Sequence, residues 1–211
     1  MRNQVGRISF VGSFRSQLPD LGLPEIAFAG RSNVGKSSLL NTLMRRRSLA
    51  RTSRTPGRTQ LINLFQIGDA VVFADLPGYG FARVPERVRL EWGPMVETYL
   101  GERGTLRLVV VLVDIRRDAQ HDDGSLLWGL TEARIPSVVV ATKTDKLSKQ
   151  KVRRQLTTLR RDLHLPVGQP IPFSARTGAG RGAVWDELEA AIRRPVEPAE
   201  PLPPATDPEE A

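Results

Sequence analysis

The sequence predicts an α/β protein, a three-layer α/β/α sandwich around a mostly parallel sheet, and three observations carry this. An apolar run at 25–29 enters a glycine-containing turn at 30–37, GRSNVGKS, and an amphipathic run at 38–47 leaves it, giving strand, turn and helix. Further on, short apolar runs alternate with segments of helical period, the pattern of βα units around a parallel sheet. The longest apolar run, 108–113, is β-branched like a strand buried on both faces and far too short to span a membrane.

In chain order, residues 7–14 read as a short strand, and 17–24, with two prolines and Gly22, connect into the central strand 25–29. After the first helix, 48–60 lacks apolar periodicity and holds Pro56, Gly57, Arg51, Arg54 and Arg58, so an exposed moving loop is expected. Runs 61–67 and 70–75, separated by Gly68-Asp69, read as a hairpin that puts one antiparallel strand in the sheet. A second loop, DLPGYG at 75–80, runs through Pro85 into a helix at 86–100, which Gly93-Pro94 should break or kink.

Strands at 106–114, 137–142 and 171–174 then alternate with helices near 124–133, 148–163 and 183–193. In the helix at 148–163, Val152, Leu156, Leu159 and Leu163 share one face, and Lys149, Lys151, Arg153, Arg154, Arg160 and Arg161 lie elsewhere. Trp92, Trp128 and Trp185 fall in helices and are expected to pack in the core or between helices, and His121 and His164 are assigned no role. From Pro195 on, six prolines and five acids leave almost nothing to bury, so a disordered tail is expected at 195–211. Residues 1–24 are read as part of the same domain as 25–194.

The 211 residues, 40% apolar, suffice for one good core. No cysteine occurs, which excludes disulfides, thiolate metal sites and cysteine nucleophiles. No signal sequence or membrane span is read, so a cytoplasmic protein is expected, and as a monomer. Net charge is +8; the tail holds five acids and no base, so residues 1–194 carry +13. A body that basic points to RNA or another polyanion, with general solubility as the plain alternative.

The spacing G-x-x-x-x-G-K-[ST] has a reason at each fixed position. Gly30 and Gly35 let the backbone curl so that N–H groups of Arg31, Ser32, Asn33, Val34, Gly35 and Ser38 point at phosphates. Lys36 reaches the outer phosphates, and the Ser37 hydroxyl suits a bridging Mg²⁺ at the helix N-terminus.

Thr142, Lys143, Thr144 and Asp145, at a strand end, choose the base. A carboxylate at Asp145 accepts guanine N1–H and N2–H₂, whereas adenine offers no such pair, so GTP and GDP are the expected ligands. Lys143 would lie along the base, and Thr142 would brace the loop. Ser174, Ala175 and Arg176 end the next strand, where a backbone N–H can meet guanine O6.

Within the moving loop, Gly57, Arg58, Thr59, Gln60 and Leu61 are expected to wrap the nucleotide, with the Thr59 hydroxyl on Mg²⁺. Asp75 would hold the metal through water, and Leu76, Pro77 and Gly78 form the second loop, the Gly78 N–H taking a γ-oxygen. Lys36, Thr59 and Gly78 are therefore the expected catalytic groups. Tyr79 stands where many GTPases orient water with glutamine, so slow intrinsic hydrolysis is expected, accelerated by a partner or a monovalent cation.

With GRSNVGKS, TPGRTQ at 55–60, DLPGYG, TKTD and SAR in place, residues 6–194 closely resemble the EngB (YihA/YsxC) family of bacterial ribosome-biogenesis GTPases. That family lies in the TrmE-Era-EngA-EngB-septin-like class of P-loop GTPases. The resemblance implies a Mg²⁺·GTP-binding switch that assists late assembly of the large ribosomal subunit on its rRNA and is linked to cell division and septation. It also implies a K⁺ beside Asn33, for which a loop-bracing amide is the plain alternative. Phe81 and Arg83, where the family often has tyrosine and lysine, and the acidic tail are departures. A second reading makes the chain a division-associated interaction protein whose nucleotide is mainly structural. A small-molecule kinase fits poorly with Asp145.

Overall fold

The computed structural model describes residues 6–46, 49, 61–78 and 86–194, with side chains from 94 onward in the helix that begins at Glu86. The strands are β1 (Ile8–Phe14), β2 (Glu25–Gly30), β3 (Ile62–Ile67), β4 (Val71–Asp75), β5 (Leu106–Asp114), β6 (Ser137–Thr142) and β7 (Ile171–Pro172). The helices are α1 (Lys36–Leu43), α2 (Glu86–Glu102), α3 (His121–Glu132), α4 (Lys149–Asp162) and α5 (Arg181–Arg193).

One seven-stranded sheet runs β1-β3-β4-β2-β5-β6-β7. Strand β3 pairs antiparallel with both β1 and β4, and every other pairing is parallel, so β3 is the antiparallel strand that the Gly68-Asp69 hairpin announces. The pairing of β1 with β3 was not legible in the sequence. It sets Phe10 against Phe65 with ring centroids 5.4 Å apart.

The apolar runs are explained by burial on both faces. On one face Phe28, Phe73, Val110 and Leu112 pack against Leu39, Leu40 and Leu43 of α1 and Val184, Trp185 and Leu188 of α5. On the other, Ala27, Val109, Val111 and Val139 meet Tyr99 of α2, Leu130 of α3 and Leu159 of α4. Each fully buried large side chain contributes about 1.5–3 kcal/mol.

Several boundaries differ from the sequence reading. Helix α1 starts at Lys36 and stops at Leu43, short of 47, because Arg181 donates to the carbonyls of Thr42 (3.0 Å) and Leu43 (3.0 Å) and Arg45 turns left-handed. Helix α3 begins three residues early, where the Asp123 carboxylate accepts the Gln120 backbone N–H at 3.3 Å. Helix α2 is not broken at Pro94, which lies inside it. Pro94 is exposed, and its fixed φ suits a helix. Strand β7 has only two residues, since Ser174 already turns to give its N–H to the Ala179 carbonyl at 3.0 Å. Trp185 is buried as expected, but Trp128 is not a core residue: it is 68% exposed on α3. The side chain of Trp92 and all of 195–211 lie outside the described residues.

Candidate nucleotide-binding site

The C-terminal ends of β2, β4, β5 and β6 deliver Gly30, Asp75, Asp114 and Thr142 to one edge of the sheet. The chain leaves β2 toward β4 on one side and β5 lies on its other side, so this edge holds the crevice where open α/β sheets bind ligands.

The loop from Gly30 to Lys36 is wound tightly: the Val34 N–H reaches the Arg31 carbonyl at 3.1 Å, and Asn33 sits left-handed. Gly35 caps α1 at φ 115°, a conformation that a Cβ would strain. Ser37 and Ser38 follow in the first turn, partly exposed at the helix N-terminus.

Lys36 forms an ion pair with Asp75, both side chains about nine-tenths buried. The Leu76 N–H extends the pairing of β2 and β4 by reaching the Phe28 carbonyl at 3.1 Å. Beyond buried Leu76 and Pro77, Gly78 lies against the loop so closely that a Cβ there would stand 2.7 Å from the Ser32 hydroxyl. The two sequence motifs therefore touch.

Thr142 is buried, and its hydroxyl lies 2.6 Å from the Val34 carbonyl and 3.1 Å from that of Val113. A threonine thus braces the loop from β6. Thr142→Val should lower nucleotide affinity about tenfold by leaving the Val34 carbonyl unpaired. Titration with a fluorescent GDP checks this, and unchanged affinity would discount the brace.

Lys143, left-handed at φ 64°, donates to the Asn33 carbonyl and, at 2.8 Å, to Asp114. Asp114 also takes Arg116 at 2.6 Å. Burial pushes the Asp114 carboxyl up, but the hydrogen bonds from Arg116 and Lys143 outweigh it and hold it at about 2. Asp114 was missed in the sequence; its signal was a lone carboxylate ending the apolar run of β5. Because its folded pKa lies below the ordinary 3.8, its contribution to stability is complete above that value and is lost as pH falls to about 2. The stability gap between the wild type and Asp114→Asn should therefore shrink over that acid range in urea titrations, and a constant gap would refute this.

Asp145 follows in a short 3₁₀ turn, Thr144–Lys146, tied by the Thr144 N–H to the Phe173 carbonyl at 3.2 Å. Buried Ser174 donates its hydroxyl to the Asp145 carboxylate at 2.8 Å, and Arg176 reaches the other oxygen at 3.1 Å. The Ser174 hydrogen bond is the main influence that keeps this carboxyl below the usual range, with Lys146 and Arg176 adding to it. Ala175 is exposed beside them. The structure thus brings the loop, the aspartate motifs and the Ser174 turn to one edge. Gly57, Arg58, Thr59, Gln60 and Tyr79 lie outside the described residues, and Leu61 immediately precedes β3.

Comparison with known proteins adds the family. The family model described as 50S ribosome-binding GTPase matches residues 25–143, more than half of the chain. The probable GTP-binding protein EngB of Syntrophus aciditrophicus is 53% identical over 190 residues, covering 89% of this chain and 96% of its own. The chain belongs to the EngB family of GTP-binding proteins. EngB of Geobacter metallireducens is 48% identical over 199 residues, covering 93% of this chain and 98% of that one. A crystal structure of a probable GTP-binding protein EngB superposes with TM-score 0.66 at 26% identity, over 80% of this chain and 98% of that one. Aquifex aeolicus Era, bound to GDP and AlF₄⁻, shares the fold at TM-score 0.67 and 22% identity, over 82% of this chain and 58% of its own. This EngB chain is accordingly a GTPase of the P-loop α/β fold. Among the described residues, no helix is long and apolar enough to cross a membrane.

Proposed function

We propose that this EngB chain is a GTP-operated switch that hydrolyses GTP to GDP and phosphate and assists assembly of the large ribosomal subunit. The observation that carries its nucleotide part is the Asp145 carboxylate, steadied by Ser174 and Arg176 at the same sheet edge as the phosphate loop. Asp145 takes guanine N1–H and N2–H₂, the Ala175 N–H meets O6, and Lys143 lies along the base. The N–H groups of 31–38 and the Lys36 ammonium take the phosphates.

A Mg²⁺ fits the donors present. Ser37 and Asp75 offer only oxygen, and the described residues contain no cluster of three His, Cys, Asp or Glu. Such a sparse oxygen set suits an ion that keeps its waters and leans on phosphates. Ser37 and Thr59 would hold it, with Asp75 acting through water, and when bound it neutralises charge on the phosphate oxygens. Lys36, now on Asp75, would turn to the phosphates, and the Gly78 N–H would meet a γ-oxygen. Exposed Asn33 would face a K⁺ that speeds otherwise slow turnover.

The basic body supports docking on rRNA, through the arginines of 45–58 and the α4 surface. On this reading the chain works as a cytoplasmic monomer that normal cell division and septation require, and residues 1–194 form one GTPase domain with 195–211 as a separate acidic tail. Co-sedimentation with large subunits tests it, using GDP or a non-hydrolysable GTP analogue at two salt concentrations. Pelleting favoured by the analogue and weakened by salt is expected. No pelleting in either state would overturn the ribosome reading and favour a division partner.

A further inference from the structure

Trp128 is 68% exposed, a large apolar ring in water on a helix whose other face is fully used. Its surroundings are bare. Gly124, one turn before it, and Gly129 beside it carry no side chain that could cover the indole, and each has open space where a Cβ would stand. Turning about α3 from buried Leu130 through half-buried Leu127, the helix presents Gly124 and Thr131 and then Trp128.

That flank turns toward α4. Successive right-handed crossovers from β5 to β6 and from β6 to β7 put the two helices side by side on one face of the sheet. Gln155 of α4 marks the seam, donating to the Arg117 carbonyl at 3.0 Å and to the Asp118 carboxylate at 3.2 Å. Turning about α4 from buried Leu159 through Gln155, the helix presents Asp162, Lys151, Thr158, Arg154 and Arg161, all exposed except half-buried Thr158. An aromatic face and a row of cations thus share one groove. Its acids are Asp118 at the seam, held by Gln155, Glu132, one turn after Trp128, and Asp162, paired with Arg161 at 2.8 Å.

We infer that this groove binds single-stranded RNA, one unpaired base stacking on Trp128 and the backbone following Lys151, Arg154 and Arg161. Cations alone would accept any polyanion, but an indole gains only from an accessible π-face, which a duplex keeps in its own stack. Glu132 adds direction: its carboxylate repels phosphate and accepts a base N–H, so the base belongs on α3 and the phosphates on α4. The cations also disfavour a basic protein as the occupant.

This inference rests on the ribosome reading above, and the test separates the two. A short fluorescein-labelled single-stranded RNA and a blunt RNA duplex of equal length would be titrated with the full GDP-bound chain over a salt series. Trp128→Ala should bind the single strand about tenfold more weakly with an unchanged salt slope and leave the duplex alone, and Trp128→Phe should recover most of the loss. Arg154→Glu should weaken both probes and lower the salt slope by about one. Unaltered melting of Trp128→Ala, expected for an exposed side chain, shows that the fold is kept. Single-strand affinity unchanged in Trp128→Ala, or lost equally for the duplex, would overturn the stacking site. Subunit pelleting lost in that variant with RNA binding intact would mean a protein partner and also overturn it. A wild type that never pellets with subunits yet stacks RNA on Trp128 would remove the ribosome reading and leave this site standing.

Discussion

Asp145→Asn is expected to lower the affinity for GDP at least about a hundredfold and to raise that for xanthosine diphosphate. In the proposed base contact the carboxylate would accept two guanine N–H groups, and each hydrogen bond to a charged partner contributes about 1.5–3 kcal/mol. An asparagine amide turns one acceptor into a donor, which clashes with the guanine amine and suits the carbonyl that xanthine carries there. The substitution keeps an oxygen for the Ser174 hydroxyl, so the turn that joins residues 145 and 174 survives. Competition of the two diphosphates against a fluorescent GDP is the measurement. Wild-type GDP affinity in the variant would remove Asp145 from base recognition.

Arg103→Met should destabilise the fold by about 3–5 kcal/mol, a large share of the 5–15 kcal/mol typical of a domain. Glu25, at the start of β2, is fully buried. Its carboxylate takes Arg103 Nη2 at 2.6 Å and Nε at 2.9 Å on one oxygen and the Tyr99 hydroxyl at 2.9 Å on the other. Burial, with Glu25 next, pushes the Tyr99 hydroxyl well up, so it remains a donor. Arg103 also donates to the carbonyls of Leu18 (3.3 Å) and Pro19 (2.5 Å), so it fastens the segment before β2 to the end of α2. Removing the cation leaves a buried charge, and the double variant Glu25→Met/Arg103→Met should be less destabilised than Arg103→Met alone. Urea unfolding of the three proteins decides it, and a loss below about 1 kcal/mol for Arg103→Met would show that the charge is not stranded.

The strands and the phosphate loop were legible because their signals are local: an apolar run, a glycine turn, a helical period. The antiparallel strand was legible for the same reason, since Gly68-Asp69 closes a hairpin within a few residues. What escaped depends on distant partners. Helix α1 ends at Leu43 because Arg181 supplies donors from α5. The pairing of Glu25 with Arg103 joins residues 78 positions apart. Trp128 misled because tryptophan is usually buried, and helical spacing alone cannot tell which residue of a short amphipathic helix is left outside. In the candidate site, the phosphate loop and 142–145 were proposed from spacing, whereas Asp114 was not, because its place there lies in gripping a lysine just beyond the end of another strand.

The grip of Arg181 on the end of α1 also has a meaning in time. The carbonyl of Thr42 waits for a donor 139 residues downstream. At a synthesis rate of about 5–20 residues per second, roughly 7–28 seconds pass between the two leaving the peptidyl-transferase centre. During that interval the nascent chain already carries its phosphate-loop sequence, but the carbonyls of Thr42 and Leu43 have only water as a partner. Helix α1 is thus fully framed only in chains that have been translated nearly to the end of the domain, and a chain truncated before α5 should emerge with the motif intact and the helix unfinished.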